Sequence, residues 1–229
     1  NAGVSGKLIN FEADIFVPEC TSTFGDSIPT TDINADENYN KLAAYTNFSF
    51  LFFDKLNLNL GIRADYFSPT KSKTFISPRF STSYRLTEIT SLTFSTGIYH
   101  QTPSYIWLVG NELNLELKNI RVNQYVLGVD QYFSADALFR IEGFFKDYFD
   151  YPTSLRRTYL IMANTGAGFS GSDENFASFG LDPLNSDGTG LAKGFEVSLQ
   201  KKLSDTPYYG ILSLTYSEAN FIALDKVDR

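Results

Sequence analysis

The sequence predicts an all-β protein, an antiparallel up-and-down transmembrane β-barrel. Three observations support this fold class: apolar and polar residues alternate with period two, short and long connections alternate along the chain, and the strands are long. Composition agrees, because the 229 residues include 14 Tyr and 21 Phe, which favour strands and the interfaces of membrane barrels. A mean hydropathy of −0.16 fits as well, since half of each barrel strand faces water.

The period-two alternation is clearest in residues 56–66. Leu56, Leu58, Leu60, Ile62, Ala64 and Tyr66 alternate there with Asn57, Asn59, Gly61, Arg63 and Asp65. The pattern recurs in 76–86, 92–99, 124–130 and 195–200. Such alternation predicts strands with one apolar face and one polar face. Alternation alone leaves open whether lipid or protein covers the apolar face.

The spacing of the predicted strands is also informative. We expect strands at about 41–53, 55–68, 75–86, 89–100, 120–133, 136–150, 189–203 and 208–220. The connections after the first, third, fifth and seventh strands are short, whereas the other connections are long. This regular alternation is typical of outer-membrane barrels, which have tight periplasmic turns on one rim and longer extracellular loops on the other. The strands also reach the ~9–11 residues that a tilted strand needs to cross the hydrocarbon.

The ends of the chain differ from its middle. Residues 1–40 predict one strand, at roughly 6–17, followed by a polar stretch over 21–38 that we expect to be a long extracellular loop. Residues 41–220 predict four β-hairpins of a barrel wall, and residues 221–229 begin a further extracellular loop. We therefore expect a partial barrel, about eight to nine strands of a longer array of hairpins. The alternative is that eight strands close a small barrel by themselves.

Five short motifs follow one another along these strands. They are Leu56-Asn57-Leu58-Asn59-Leu60-Gly61-Ile62-Arg63-Ala64-Asp65-Tyr66, Ser77-Pro78-Arg79, Gly97-Ile98-Tyr99-His100-Gln101-Thr102-Pro103, Tyr125-Val126-Leu127-Gly128-Val129 and Gly194-Phe195-Glu196. Each motif alone is weak, but their shared order resembles the barrel of TonB-dependent receptors over roughly residues 41–220. Asp130 follows the fourth motif, where the family usually has Glu.

The resemblance implies a larger assembly than this chain. The family's fold is a barrel of roughly 22 strands, occluded by an N-terminal plug. We expect the plug, and the TonB box that engages the TonB complex, to lie in N-terminal regions outside this sequence. The resemblance implies a receptor of the bacterial outer membrane that imports a scarce solute: a small molecule, a siderophore or an oligomeric nutrient.

The same resemblance implies outer-membrane lipid around the apolar face, no enzyme activity and no cofactor. The net charge of −7 argues separately against nucleic acid as a partner, because a nucleic-acid-binding surface is normally basic.

Charged residues in the polar phase of the strands are the main candidates for contact with a plug or a ligand. These residues are Arg63, Asp65, Arg79, Arg85, Asp130, Arg140, Glu142, Lys146 and Glu196. On the inner wall of a plugged barrel they could pair with plug residues. They could equally hydrate the lumen and pair with one another across strands, and the sequence leaves both interpretations open.

The connection over 101–119 contributes two aromatic candidates, Tyr105 and Trp107. Aromatic side chains at a loop tip can contact a ligand, because they offer a large and rigid apolar surface. Packing of these side chains onto neighbouring loops is the favoured interpretation.

Other functions have weaker support. An outer-membrane hydrolase would need a nucleophile and a base, and the only histidine, His100, is expected on the lipid-facing phase near a strand end. Residues 166–171 fit G-x-G-x-x-G, but the turn-forming residues that follow favour a loop over a dinucleotide site. A passive barrel or a surface adhesin without a plug is a second alternative.

Overall fold

The computed structural model describes residues 1–21, 25, 27–164 and 181–227. Its strands are β1 Ala2–Val17, β2 Cys20–Thr21, β3 Ser27–Ile28, β4 Thr31–Phe52, β5 Leu56–Phe67, β6 Thr74–Arg85, β7 Thr90–Gln101, β8 Ile120–Ser134, β9 Ala137–Ser154, β10 Leu184–Lys201 and β11 Gly210–Ile222. Nine of them form one antiparallel sheet in the order β1-β4-β5-β6-β7-β8-β9-β10-β11, and β2 pairs with β3 in the first connection. The predicted all-β, up-and-down architecture is therefore confirmed. The glycine-rich motif at 166–171 lies outside the described residues.

Tight turns join alternate strands at one rim of the sheet. In the turn between β4 and β5, the N–H of Lys55 donates to the carbonyl oxygen of Phe52 at 3.1 Å. Phe53 and Asp54 have φ of 50° and 54°, as both central residues of a type I′ turn must. Short connections also join β6 to β7 and β8 to β9 at this rim. The expected alternation of length has one exception, because the connection from β10 to β11 (202–209) is longer than the one from β5 to β6 (68–73) at the opposite rim.

The sheet has one apolar and one polar face, because successive side chains of a strand point to opposite faces. We call the apolar side, which carries the even-numbered residues of β5, the outer face. Large side chains on it are exposed: Ile62, Leu127 and Ile141 have exposed fractions of 48%, 55% and 43%. An extended apolar surface of this kind marks contact with a membrane or another protein.

Several strands continue past their expected ends at the rim with the long connections. β4 pairs with β1 from Thr31, opposite Val17, so the expected loop over 31–38 is wrong and these residues are strand. β9 likewise extends to Ser154, and β10 begins at Leu184. A strand that projects beyond the hydrocarbon still pairs through its backbone, but it needs no apolar outer face. Its residues can therefore be polar throughout, and such a composition also predicts a loop.

The connections at this rim contain a packed core. Helix α1 (Tyr105–Gly110) and 3-10 helices at Glu112–Glu116 and Met162–Asn164 fold over the sheet. The larger cluster of buried apolar side chains consists of Trp107, Leu117, Ile120, Leu160, Met162 and Leu184. In the part of the chain that the structure describes, no helix has the length and apolar character to cross a membrane.

At the opposite rim, Asp136 links the connection between β8 and β9 to the connection between β10 and β11. Its carboxylate accepts hydrogen bonds from the hydroxyls of Ser134 and Ser204 and from the ammonium of Lys201. The N–H of Lys202 donates to the Asp136 carbonyl oxygen at 2.8 Å. The Lys201 ammonium, followed by the two hydroxyls, holds the pKa of the Asp136 carboxyl well below its ordinary range.

Asp136→Asn should lower the unfolding temperature of the full-length protein at pH 7, because a neutral amide loses the attraction to Lys201. A carboxyl whose pKa is lower in the folded state stabilises the protein above its unfolded pKa, and this contribution is lost as the pH falls through the folded pKa. The difference between wild type and variant should therefore shrink below about pH 3.9. Thermal unfolding followed by circular dichroism tests this, with Asp205→Asn as the control, and a pH-independent difference contradicts it.

Candidate functional site

The strand register places the sequence-predicted charged residues on one face of the sheet. Residues directly opposite each other in an antiparallel pair share a face. Arg63 lies opposite Ser77, Arg85 opposite Ser91, Ser91 opposite Asp130, Asp130 opposite Arg140, and Glu142 opposite Glu196. With the period-two alternation, this register puts nine charged residues on the same face: Arg63, Asp65, Arg79, Arg85, Asp130, Arg140, Glu142, Lys146 and Glu196. We call their side of the sheet the inner face.

Two arginines on the inner face are bound within the wall itself. Arg63 donates from Nη2 and Nε to the two carboxylate oxygens of Asp65, at 2.7 Å and 2.8 Å. Arg140 binds Asp130 on the neighbouring strand in the same two-pronged way, at 2.7 Å and 2.8 Å. Each aspartate is only 6% exposed, and burial of a charge is tolerable when a partner neutralises it. For these four residues, pairing within the wall is the observed role.

The other charged residues of the inner face are differently placed. The guanidinium of Arg79 lies over the ring of Tyr99, 4.7 Å from its centroid. Among the described residues, Arg79, Arg85 and Glu196 form no ion pair. Glu196 lies directly opposite Glu142, and two like charges in that position repel each other, so neither neutralises the other. These side chains are therefore available to a charged group from outside the described sheet.

A cleft of ≈ 290 Å³ on the inner face brings together residues from four strands. It is lined by Lys41, Arg63, Asp65, Phe75, Ser77, Arg79, His100, Gln101 and Thr102. The Nδ1 atom of His100 lies 3.0 Å from the hydroxyl of Ser77, and the His100 ring packs on Phe75 with centroids 5.1 Å apart. The expected lipid-facing position of His100 is therefore wrong. The β6–β7 ladder ends at the pair of Arg79 and Gly97, beside Pro78, whereas β7 stays paired with β8 through Gln101. Beyond Gly97, β7 therefore has no ladder to β6, and the His100 ring packs against the β6 side chains of Phe75 and Ser77.

Tyr105 begins α1 and lies against the inner face near the rim. Its ring stacks on Tyr39 with centroids 5.6 Å apart and an interplanar angle of 13°, and it also contacts Phe11 and Phe67. Burial raises the pKa of the Tyr105 hydroxyl. Tyr105 therefore anchors its connection over the sheet while remaining partly exposed.

Trp107 is buried and packs among neighbouring connections, which supports the favoured interpretation from the sequence. Asn114, which the sequence analysis missed, holds these connections together. Its Nδ2 donates to the carbonyl oxygens of Trp107 at 2.6 Å and Asp182 at 3.0 Å, and its Oδ1 accepts from the N–H of Leu184 at 2.7 Å. Asp182 in turn accepts from the Nε of Arg157 at 2.8 Å. Two of the three partners of Asn114 lie 68 and 70 residues away, so no local pattern reveals this role.

The geometry defines a class of protein: an antiparallel barrel wall with an apolar outer face, a charged inner face and connections folded inward at one rim. The family described as "TonB dependent receptor-like, beta-barrel" matches residues 10–228, and the chain belongs to this family. Its relatives are bacterial outer-membrane receptors and transporters. No curated protein sequence matches the chain.

Solved structures share this fold at low sequence identity. The ferric-catecholate import receptor Fiu from E. coli K12 has 13% identity and a TM-score of 0.62, over 99% of this chain and 36% of that one. The FrpB iron transporter from Neisseria meningitidis has 13% identity and a TM-score of 0.60, over 84% and 28%. The siderophore receptor PirA from Pseudomonas aeruginosa has 14% identity and a TM-score of 0.60, over 96% and 41%. The chain thus spans less than half the length of these proteins.

Asn114→Ala should loosen the packed connections without unfolding the sheet. The change leaves the buried carbonyl oxygens of Trp107 and Asp182 and the N–H of Leu184 without their partner, at roughly 1–3 kcal/mol for each buried group. Hydrogen exchange at the Leu184 amide should become about tenfold faster or more. Asn111→Ala, which removes only an exposed cap to the N–H of Leu113, is the matched control. Equal exchange in the two variants contradicts the assigned role.

Proposed function

We propose that this chain forms part of the wall of a TonB-dependent receptor in the bacterial outer membrane, which binds and imports a scarce extracellular solute. The observation that supports this most is the combination of a charged inner face with connections folded over it at one rim. An inner face of this kind suits a water-filled or plugged interior, and the apolar outer face suits lipid.

The inner face supplies contacts of two kinds. Arg63 with Asp65, and Arg140 with Asp130, neutralise each other and stiffen the wall. Arg79, Arg85 and Glu196 have no ion-pair partner among the described residues, so they are the candidates for contact with a plug. Solute import then proceeds by binding, movement of the plug and release, with energy from the TonB complex acting through N-terminal regions. No bond of the solute is made or broken.

The ligand-facing surface is proposed to lie at the rim with the long connections. Tyr105, which packs on Tyr39 and remains partly exposed, is the aromatic candidate there, whereas Trp107 is committed to packing. Relatives named for iron transport, ferric-catecholate import and siderophore reception make a metal complex one solute class to test. Oligomeric nutrients and other small molecules are further classes that such a surface can accept.

The proposal predicts TonB-dependent accumulation. Cells that lack their other receptors and express the full-length protein are given a labelled panel: a ferric catecholate, a ferric hydroxamate, cobalamin and an oligosaccharide. At least one compound should accumulate, and loss of TonB should abolish its accumulation while leaving binding at the cell surface intact. Accumulation of every compound without TonB indicates a passive barrel and contradicts the proposal, as does an absence of both binding and uptake.

The double variant Arg79→Ala, Arg85→Ala extends the same assay to the plug contacts. Uptake should fall severalfold, because the plug loses two cationic partners, and a large antibiotic excluded by the wild type should enter. Lys71→Ala, which removes an exposed ion pair with Glu116 outside the inner face, is the control and should change neither readout. Unchanged uptake and unchanged exclusion in the double variant would contradict contact between these arginines and the plug.

A further inference from the structure

One strand edge in the sheet has no neighbour over part of its length. β4 continues above the end of β5. Lys41 lies opposite Phe67, Asn40 bonds Ser68 just past the end of β5, and residues 31–39 have no described strand partner on that side. This projecting part, Thr31–Asn40, is paired with β1 on its other side. At ~3.3 Å per residue, the ten residues span about 33 Å. We call the side of this segment that faces away from β1 the open edge.

The backbone groups on the open edge can be assigned from their neighbours. The N–H of Asn40 donates to the hydroxyl of Ser68 at 2.8 Å, and the carbonyl oxygen of Asn40 accepts from the N–H of Ser68 at 3.0 Å. Asn47, of the opposite parity, instead pairs with Asn1 on the β1 side. Backbone groups alternate in direction along a strand. The residues whose N–H and C=O therefore point to the open edge are Asp32, Asn34, Asp36 and Asn38, and no described residue pairs with them there.

A groove of ≈ 1360 Å³ runs along the open edge. One wall is the strand itself, and the other consists of residues from α1 and the following 3-10 helix, including Leu108, Val109 and Leu115. Ser68 and Pro69 close the groove where β5 ends. The groove therefore offers unpaired backbone donors and acceptors on one side and apolar side chains on the other.

The charge around the groove has one sign. The projecting hairpin of residues 10–17 and 31–40 contains the carboxylates Glu12, Asp14, Asp32, Asp36 and Glu37 and no lysine or arginine. Glu12 lies opposite Asp36, and Asp14 opposite Asn34, so four of these carboxylates, all but Glu37, share the outer face beside the open edge. Glu112 lines the groove as well. The one cationic side chain among the described residues of the lining is Arg156, and it faces the buried carboxylate of Asp182 at 3.6 Å. A ligand that pairs with this edge should carry positive charge.

We propose that this groove binds an extended, cationic peptide, which adds to the open edge of β4 as a further β-strand. Main-chain hydrogen bonds to Asn34 and Asp36 provide the affinity, and alternate side chains provide the selectivity. One set of peptide side chains points to the outer face and meets Asp32 and Asp36. The other set points to the inner face and meets Val109 and Leu115. The preferred sequence therefore alternates basic and apolar residues.

This inference deepens the proposed function by naming a ligand class, and it rests on that function in taking this rim to face the cell exterior. Binding itself needs no TonB, so the two proposals fail separately. Absent binding with intact import of another solute removes only the peptide site. Intact binding with no TonB-dependent import removes only the transport proposal.

The first arm of the test varies the peptide. Binding of acetyl-Lys-Leu-Lys-Leu-Lys-amide to the purified full-length protein is measured by isothermal titration calorimetry. The same peptide with N-methyl groups on alternate residues keeps its charge but loses the donors that face the strand, so its affinity should fall about tenfold or more. The Glu-Leu analogue should not bind. Equal affinity for the methylated and unmethylated peptides, or no binding up to ~1 mM, overturns the proposal.

The second arm varies the strand. Asn34→Pro removes an N–H from the open edge and leaves the ladder to β1 intact, a position where an edge strand tolerates proline. It should weaken binding about tenfold, whereas Asn34→Ala, which keeps the N–H, should stay within about twofold. Asp36→Asn should weaken binding of the Lys-Leu peptide and reduce its salt dependence. Equal affinities of Asn34→Pro and Asn34→Ala, both folded by circular dichroism, overturn strand addition.

Discussion

Continuous pairing of backbone N–H and C=O groups is the constraint on which the rest of this structure depends. In hydrocarbon an unpaired backbone group costs several kcal/mol, so a sheet that crosses a membrane must pair every strand within it. The ladders from β4 through β11 meet this demand with few register shifts. The same ladders create the two faces, because a fixed register sends alternate side chains to opposite sides. The outer apolar face and the inner charged face therefore have one common cause.

Above the rim with the long connections, backbone groups no longer have to pair within the sheet, so this part of the chain is free to form a binding surface. Water can satisfy backbone groups outside the hydrocarbon, so β4 can project with an open edge and the connections can fold freely. Their fold is nevertheless specific, since Trp107 packs in a buried cluster and Asn114 binds three backbone groups from two separate segments. The wall below is stiffened by buried Asp65 and Asp130, each held by an arginine. A rigid wall with a shaped rim suits a receptor that binds solute at the rim and moves a plug inside.

Much of the wall could be predicted from sequence. Period two in 56–66 assigns Arg63 and Asp65 to the polar face, and the spacing of turns predicts which strands are neighbours, because both patterns are local. The failures come from long-range or edge effects. His100 departs from the alternation beyond the end of the β6–β7 ladder, where its ring packs on Phe75 and Ser77 of β6. The strand over 31–40 escapes because polar residues suit a projecting strand as well as a loop. The bonds of Asn114 join residues 68 and 70 positions away, which no local pattern encodes.

We infer that one face of this sheet meets lipid and the other meets water. Single cysteines at positions 57–62 of the full-length protein, in a background whose native cysteines, including Cys20, are replaced by Ser, can be labelled in intact outer membranes with a charged maleimide. Positions 57, 59 and 61 should label severalfold faster than 58, 60 and 62, because a charged reagent reaches only the aqueous face. Uniform labelling, or the opposite phase, would contradict the assignment of the two faces.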